Sequence, residues 1–356
     1  MTQQYRLVVL FGGESAEHDV SCVTARHVVA AVDPERFAID AIGINRQGEW
    51  HRTTTGDEIM AGNLAALPAS LTTTGAAVEP LAAVERTDLP VVVLPLLHGP
   101  MGEDGTVQGL LDLAGVPYVG SGVLGSAACM DKAMAKQVAA SFGIDQARWR
   151  TMHVDDITAS TPASLIEELG VVTFVKPANM GSSVGVSRAG TAAELADALE
   201  VAANYDEWIV VEEAVEGREI EVGVLGNRML QASLPGEIVP GDDFYSYDDK
   251  YHDGVAQTLI PAPLGADATA EVQALACRVG QSLRVQGLAR IDFFYEESGR
   301  GFLLNEVNTM PGFTPISMFP KLWEATGVGY SELITRLVDL AIERHDKRLS
   351  HRSVKH

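Results

Sequence analysis

Several features that mark other protein classes are scarce in this 356-residue chain. Its three cysteines, Cys22, Cys129 and Cys277, are odd in number and far apart, so the sequence predicts neither a disulfide framework nor a zinc site. The 26 basic residues are outnumbered by 48 acidic ones. The resulting formal charge of −22 argues against nucleic acid or an anionic membrane as a partner, although local basic pockets for phosphate remain compatible with it.

Long apolar segments are also absent. No run is long enough to span a bilayer. The first apolar segment, residues 6–11, leads straight into Gly12 and Gly13 without a cleavage-like site, so we expect no signal peptide and a cytoplasmic protein. Residues 344–356 hold a small excess of basic side chains, and the simplest interpretation is a frayed tail.

The composition indicates a globular protein with more than one domain. Hydrophobic residues make up 46% of the chain and aromatic residues 6%. A chain of this length is too long for one hydrophobic core, which suggests two or three domains. In the first third, predicted strands at 6–11, 38–44 and 91–94 alternate with a helix from about 19 to 31. This pattern predicts a parallel sheet with functional loops at the carboxyl ends of its strands.

Two loops of that first part have side chains suited to chemistry, at 12–18 and 98–105. His98 opens the second loop and is either a substrate-site residue or a helix-capping neighbour. From 131 to about 223 the pattern changes to a helix, a glycine-rich loop and several strands. Strands then precede a final helix, predicted near 332–343.

One apparent nucleotide motif is misleading. Residues 120–125 match the pattern G-x-G-x-x-G of dinucleotide-binding proteins, which also requires an acidic residue after a second strand. Asp145 has that spacing but follows a helix-like stretch. A nicotinamide cofactor is therefore disfavoured.

A metal site is predicted where two apolar strands hold acidic residues. Asp292 interrupts the first strand, while Glu306 and Asn308 lie two apart on the next and therefore share a face. Three oxygen ligands of this kind suit Mg²⁺, which substrate phosphates usually complete. The alternative, solvated edge residues, is weakened because unpaired charges in apolar strands are costly.

Lys176 ends an apolar strand, and the glycine-rich loop 181–185 follows five residues later. Glycines let backbone N–H groups approach a phosphate, so together the two features predict a flap over a triphosphate. No G-x-x-x-x-G-K-[ST] motif is present, which excludes a P-loop. Residues 208–222 fit either a strand presenting groups to adenine and ribose or an ordinary strand pair with an acidic turn.

Taken together, the chain resembles the ATP-grasp superfamily and, within it, the D-alanine–D-alanine ligase family. The motifs that support this resemblance follow the family's order at 12–17 (GGESAE), 98–99 (HG), 130–132 (MDK), 176–177 (KP), 181–185 (GSSVG), 244–251 (FYSYDDKY), 290–292 (RID) and 306–312 (EVNTMPG).

The resemblance implies an ATP-grasp fold of mixed α/β and α+β class. An N-terminal parallel-sheet domain at 1–127 would precede two α+β domains enclosing ATP, at 128–222 and 223–348, with a tail at 349–356. It also implies a cytoplasmic homodimer that uses ATP and two Mg²⁺ (or Mn²⁺) to join two D-alanines through a D-alanyl phosphate, releasing ADP and phosphate, for peptidoglycan precursors.

The resemblance also assigns roles to individual residues. The catalytic set would be Glu14, Ser182, Tyr251, Arg290 and Gly312. Substrate contacts would come from His98, Lys250, Ser317 and Met318. ATP would be bound by Lys132, Lys176, Ser183, Glu212, Glu213, Val215 and Glu219, and the metals by Asp292, Glu306 and Asn308.

A lid is expected over 240–258, because an acyl phosphate hydrolyses unless water is excluded. Gly236, Gly241 and Gly254 could serve as hinges, and the alternative is an exposed loop with incidental tyrosines. Lys250 and Tyr251, with an apolar Met318, favour an amine over D-lactate as the second substrate. Another ATP-grasp ligase or a catalytically silent nucleotide-binding module remains as an alternative class.

Overall fold

The computed structural model describes residues 4–53, 68–85, 87–239 and 257–353. Within these ranges the strands are β1 Tyr5–Gly12, β2 Phe37–Ile44, β3 Trp50–Thr53, β4 Gly75–Ala77, β5 Val91–Pro95, β6 Trp149–His153, β7 Thr173–Pro177, β8 Ser187–Ala189, β9 Trp208–Glu213, β10 Arg218–Gly226, β11 Leu230–Ala232, β12 Gly236–Val239, β13 Gln257–Leu259, β14 Gly287–Glu296 and β15 Gly301–Asn308. The α-helices are α1 His18–Ala31, α2 Pro80–Ala83, α3 Thr106–Ala114, α4 Val123–Met130, α5 Lys132–Ser141, α6 Thr161–Leu169, α7 Ala192–Ala203, α8 Ala266–Ser282, α9 Met318–Ala325 and α10 Tyr330–Ser353.

The first sheet has the strand order β4-β3-β2-β1-β5. Strand β1 runs parallel to β2 and β5, whereas β3 and β4 form an antiparallel edge. The inner strand β1 is covered on both faces, and its apolar residues 7–11 are all buried. The predicted parallel sheet is confirmed. The loops after β1 and β5 leave the sheet at the same carboxyl edge.

The second sheet is antiparallel, with the order β6-β9-β7-β8. Helices α6 and α7 cover one face, where Val175 of β7 and Val211 of β9 are fully buried. Because side chains alternate along a strand, the neighbouring Lys176 and Glu212 point to the opposite face. That face is the one that lines the cavity described below.

The third sheet is antiparallel in every pairing and has the order β13-β12-β10-β14-β15, with β11 also paired to β10. Strands β14 and β15 form a long hairpin in which Asp292 lies opposite Glu306. The register shifts before the next pair, Phe293 with Leu304, so Asn305 is an extra residue on β15. Such a bulge locally turns the strand and redirects its side chains.

Helix α10 ends later than the sequence predicted. The expected helix near 332–343 is confirmed in its position, but the predicted frayed tail is wrong as far as Ser353, where the helix ends. The reason is that basic residues expected to be solvated are docked on the first part of the chain. Arg344 is 6% exposed, and Arg348 forms an ion pair with Asp112 of α3.

The same helix connects two sheets. Leu333 and Leu337 of α10 share a buried core with Leu7 of β1 and Leu288 of β14. The predicted domain boundary between 222 and 223 falls inside β10, which pairs with β14 along its whole length. The expected boundary therefore divides one continuous strand of the third sheet.

Replacing Arg344 by methionine should destabilise the protein by about 2 to 4 kcal/mol, because charged hydrogen bonds are lost and buried acceptors are left unpaired. The guanidinium donates to the carbonyl oxygens of Gly120 and Tyr118, the latter at 2.7 Å, and lies 4.3 Å from the Tyr118 ring centre. Urea unfolding measures the loss. Arg336→Met, on an exposed part of α10, is the control and should change stability little; equal losses would contradict the docking role.

The cysteines are separate thiols and Cys22 is 4% exposed, as a small buried apolar residue would be. Burial raises the pKa of the Cys22 thiol to about 12, so it remains protonated near neutral pH. Within the described ranges, no helix combines the length and hydropathy that a membrane crossing requires.

Candidate active site

A cavity of about 1160 Å³ lies where the three sheets meet. Its lining includes nearly all the described residues that the sequence assigned to a site: His98, Lys132, Lys176, Ser182, Ser183, Glu212, Glu213, Val215, Glu219, Arg290, Asp292, Glu306, Asn308, Gly312, Ser317 and Met318. These residues come from distant parts of the chain, so the fold converges them on one volume. Lys250 and Tyr251 lie outside the described residues.

The predicted metal ligands lie together on the β14–β15 hairpin. The Asn308 side-chain amide is 3.0 Å from Asp292 Oδ2 and 3.4 Å from Glu306 Oε1. Asp292 is 7% exposed. The two carboxylates and the Asn308 amide oxygen form the hard donor set that Mg²⁺ prefers. Flipping the Asn308 amide group would direct its oxygen to the same point as the carboxylates. Within the described ranges, no group of three or more His, Cys, Asp or Glu side chains is arranged to hold a metal. A site with only two carboxylates suits an ion whose coordination is completed by substrate phosphates.

Arg290 adds a positive charge beside these acids. Its Nε and Nη2 atoms donate to the two Asp292 oxygens at 2.8 and 2.7 Å, and its Nε lies 3.0 Å from Glu221 Oε2. Burial opposes its charge, but Asp292 and Glu221 raise the pKa of Arg290 well above its ordinary value. The guanidinium is thus fixed by a bidentate pair and permanently charged.

Two lysines lie on the side of the cavity formed by the second sheet and α5. Lys176 donates to Glu212 Oε2 at 2.9 Å, and Lys132, the first residue of α5, donates to the Met180 carbonyl at 2.5 Å. The Lys176 ammonium also lies 3.4 Å from Asn305 Oδ1, so the bulge in β15 directs the Asn305 side chain toward this lysine. Ammonium groups at these positions can bind the phosphates of a nucleotide.

The glycine-rich loop at 181–185 contains three residues with a left-handed backbone, two of them serines. Ser182 and Ser183 both have positive φ angles, 50° and 58°, and Gly185 has a φ of 72°. A side chain at Gly185 would collide with Pro177 and Tyr205, each 2.7 Å from the Cβ position. Successive backbone N–H groups in a tight turn of this kind can face an anion, which fits a phosphate-covering loop.

At the expected adenine end, the acidic side chains are already engaged. Glu213 accepts from Arg148 at 2.6 Å and is also paired with Arg300, and the pKa of its carboxyl is lowered by those contacts despite burial. Glu212 is 3% exposed and lies between lysines. Their side chains contact protein partners, and both residues line the cavity at the end where the sequence places the nucleotide. Val215 and Glu219 line the cavity beside them.

The opposite end of the cavity is formed by loops of the first and third sheets. His98 lines the cavity and is 4% exposed, and its Nδ1 is 3.0 Å from the Met310 carbonyl oxygen. Glu103 accepts from the Gly99 N–H at 2.7 Å. Burial, and then the charge of Glu17, raise the pKa of Glu103 to about 8. Glu103 also accepts from the Met310 N–H, so both side chains contact the backbone of Met310, two residues before Gly312.

The structure does not bring Glu14 into the cavity. Its side chain is exposed and lies over the turn at Gly48, where a Cβ would be 2.5 Å from Glu14 Oε1. Glu17 lines the cavity instead and is 9% exposed. A Cβ placed on Gly181 would be 3.3 Å from Glu17 Oε2. The helix start explains the difference. Glu17 occupies the N-cap position of α1 without a side-chain capping hydrogen bond, so its carboxylate is directed into the cavity, while Glu14 remains in the preceding loop.

Ser317 and Met318 mark the start of α9 at the edge of the cavity. The Ser317 hydroxyl is 2.8 Å from the Thr314 hydroxyl and accepts from the Thr314 N–H at 3.1 Å. Met318 is 8% exposed and packs with Ile238 and Leu322. The Met318 side chain therefore gives this edge of the cavity an apolar wall with no charge.

Comparison with known proteins agrees with this arrangement. The family model described as D-ala D-ala ligase N-terminus matches residues 6–121, and the model described as D-ala D-ala ligase C-terminus matches residues 138–339. The chain is 49% identical to a D-alanine–D-alanine ligase of Bacillus pumilus, over 96% of this chain and 97% of that protein. It is 47% identical to that of Deinococcus radiodurans, with coverages of 95% and 98%.

Solved structures are similar over almost the whole length. The D-alanine–D-alanine ligase of Coxiella burnetii has a TM-score of 0.84 and 34% identity, covering 99% of this chain and 98% of that one. A D-Ala:D-Ser ligase of Enterococcus faecalis has a TM-score of 0.82 and 32% identity, with coverages of 95% and 100%. The fold, the convergent cavity and these matches show that the chain belongs to the D-alanine–D-alanine ligase family.

Proposed function

We propose that this protein joins two D-alanines to D-alanyl-D-alanine with ATP, through a D-alanyl phosphate, for peptidoglycan precursors. The observation that carries the proposal is one cavity that holds an oxygen metal-ligand set at Asp292, Glu306 and Asn308 together with a fixed Arg290. Phosphate-binding lysines lie across the same cavity. A site of this composition is suited to stabilising the charge of phosphoryl transfer and of a tetrahedral acyl intermediate.

In the first step, a carboxylate oxygen of D-alanine attacks the γ-phosphorus of ATP. The bond between that phosphorus and the β,γ-bridging oxygen breaks, which gives D-alanyl phosphate and ADP. Lys132 and Lys176 bind the phosphates and stabilise the charge that spreads over the transferred group. The loop at 181–185 covers them with backbone N–H groups and limits the access of water.

The residues present fit Mg²⁺, and Mn²⁺ has the same preference for oxygen ligands. Asp292, Glu306 and Asn308 would hold the ions. When bound, the ions would neutralise phosphate charge and align the reacting oxygens.

In the second step, the amine of another D-alanine attacks the acyl carbon, and phosphate leaves with the electrons of the carbon–oxygen bond. Negative charge develops on the carbonyl oxygen in the tetrahedral intermediate. Arg290 and the N–H of Gly312 stabilise that oxygen, and His98 with Glu103 positions the backbone before Gly312. The proton lost from the attacking amine passes to phosphate or water.

Glu17 binds the ammonium group of the first D-alanine. Replacing it by glutamine should raise the KM for that substrate about 10- to 100-fold, because a hydrogen bond to a charged group is worth about 1.5–3 kcal/mol. Steady-state kinetics at fixed ATP measures the change. Glu14→Gln is the matched control, since Glu14 is exposed over Gly48, and its KM should equal that of the parent. The reverse pattern would restore Glu14 as the substrate ligand.

The second substrate is assigned as an amino acid. Met318 offers no charge to the carboxylate of D-lactate, and Lys250 with Tyr251 matches the dipeptide-forming motif. The test incubates the protein with ATP, Mg²⁺ and D-alanine, with and without equimolar D-lactate or D-serine, and identifies products by mass. D-alanyl-D-alanine should dominate each mixture. Mainly D-alanyl-D-lactate or D-alanyl-D-serine would overturn the specificity, and no ATP-dependent product would overturn the ligase activity.

Further parts of the proposal concern organisation. We place the first domain at 1–127, the second from 128 to just before β10 and the third from β10 onward. Of the lid expected over 240–258, residues 240–256 lie outside the described residues. A homodimer in the cytoplasm is what family membership supports. Sedimentation of the purified protein tests the dimer.

A further inference from the structure

We propose that Lys136 is a positioning residue for ATP binding: it holds Glu212, and Glu212 in turn holds Lys176 toward the phosphates. This inference deepens the proposed function, because it relies on contact between Lys176 and phosphate. Lys136 does not line the cavity and would not touch the nucleotide. No motif in the sequence pointed to it.

Helix α5 determines where Lys136 lies. Lys132 and Lys136 are four residues apart and therefore occupy the same face of the helix, one turn from each other. The first reaches the cavity, whereas the second is 2% exposed beneath it. Its Nζ is 3.0 Å from Glu212 Oε1 and 5.6 Å from the centre of the Trp149 ring.

Glu212 divides its two oxygens between two lysines. Oε1 faces Lys136, and Oε2 accepts from Lys176 at 2.9 Å. Burial opposes ionisation, yet Lys136 and Lys176 hold the pKa of the Glu212 carboxyl at about 2. The carboxylate is therefore charged, and its orientation is set from both sides. Burial lowers the pKa of Lys136, whereas the charge of Glu212 favours its ammonium form. With all three groups ionised, they carry a net charge of one positive unit.

The arrangement is costly for a purely structural device. A buried ion pair usually stabilises no more than apolar residues of similar volume, because both charges lose their hydration. When Lys136 is present, its charge balances that of the Glu212 carboxylate, and the charge of Lys176 remains as a net positive charge at the cavity wall. Without it, Glu212 and Lys176 would form a neutral pair, and the attraction for phosphate would fall.

The test measures binding of ATP with Mg²⁺, and separately of adenosine, by calorimetry in the absence of D-alanine. Lys136→Met should weaken ATP binding about 10-fold or more, a difference of about 1.4 kcal/mol. Adenosine has no phosphate, so its affinity should change less than about two-fold. Lys347→Met, on the exposed face of α10, is the matched control. Thermal unfolding of each variant ensures that binding is measured on folded protein.

A double-mutant cycle identifies the path of the effect. In a Glu212→Gln background, Lys136→Met should change ATP affinity little, because no carboxylate remains for Lys136 to neutralise. If the single variant does not fold, the comparison within the Glu212→Gln background still tests the path, because a loss of ATP affinity there on adding Lys136→Met would overturn it. The inference is overturned if Lys136→Met leaves ATP affinity unchanged, if adenosine loses affinity by the same factor, or if the effect is equal in both backgrounds. A protein that binds ATP as expected but makes no dipeptide would contradict the proposed function and leave this inference standing.

Discussion

Replacing Arg290 by glutamine is expected to lower kcat by about 10²–10³-fold or more while ATP binding is retained. The loss arises in the second step, where charge develops on the carbonyl oxygen of the acyl phosphate. Arginine presents five N–H donors, and the two hydrogen bonds to Asp292 use only part of this set. Lysine at this position keeps the charge but not the planar fork, so Arg290→Lys should recover only part of the rate.

The controls for Arg290 separate chemistry from folding. Glutamine leaves Asp292 and Glu221 without their shared counter-ion, so unfolding must be measured with the kinetics. Arg336→Gln on the exposed part of α10 removes an arginine that also pairs with a glutamate, Glu332, and should keep the parental rate. An Arg290→Gln enzyme that is folded and turns over within ten-fold of the parent would show that the oxyanion is stabilised elsewhere.

The second large effect is expected at Glu306. Glutamine at this position keeps the shape but removes one of the two carboxylate charges opposite each other on β14 and β15. Because charge neutralisation by the metal is worth several kcal/mol, kcat should fall about 10²–10³-fold. The Mg²⁺ concentration needed for half-maximal rate should rise at the same time.

A titration of activity with Mg²⁺ and with Mn²⁺ measures both changes. Glu297→Gln, in the exposed turn of the same hairpin, is the control and should follow the parental titration. Direct binding of Mn²⁺, followed by electron paramagnetic resonance with ADP present, gives a readout that does not depend on turnover. Unchanged Mn²⁺ affinity in Glu306→Gln would remove Glu306 from the ligand set.

Much of the site can be predicted from the spacing of residues, because strand geometry is regular. Glu306 and Asn308 are two apart on a strand, which predicted a shared face, and Asp292 was expected on the neighbouring strand. The structure has this pairing. Asn305 could not be found in the same way. Its side chain reaches Lys176 because of a bulge, and a bulge breaks the alternation on which the prediction depended.

Burial and long-range pairing were harder to predict. The loop after β1 contains two glutamates, and the sequence favoured Glu14, whereas the start of α1 turns Glu17 inward. Lys136 resembled an ordinary helix residue because its partner, Glu212, is distant in sequence. The sequence predicts a frayed tail that includes Arg344 and Arg348, since nothing local indicates that they dock on Tyr118 and Asp112. In each case the missing information was the partner supplied by another element.

The central claim is that the cavity activates a carboxylate by phosphoryl transfer before the amine attacks. Its most direct test uses D-alanine labelled with oxygen-18 in the carboxyl group, with ATP and Mg²⁺, and analyses the released phosphate by mass spectrometry. The account predicts that phosphate gains a labelled oxygen for each dipeptide formed, because the acyl carbon–oxygen bond breaks when phosphate leaves. Dipeptide formation with unlabelled phosphate would contradict the acyl phosphate and the roles assigned to Arg290 and the lysines.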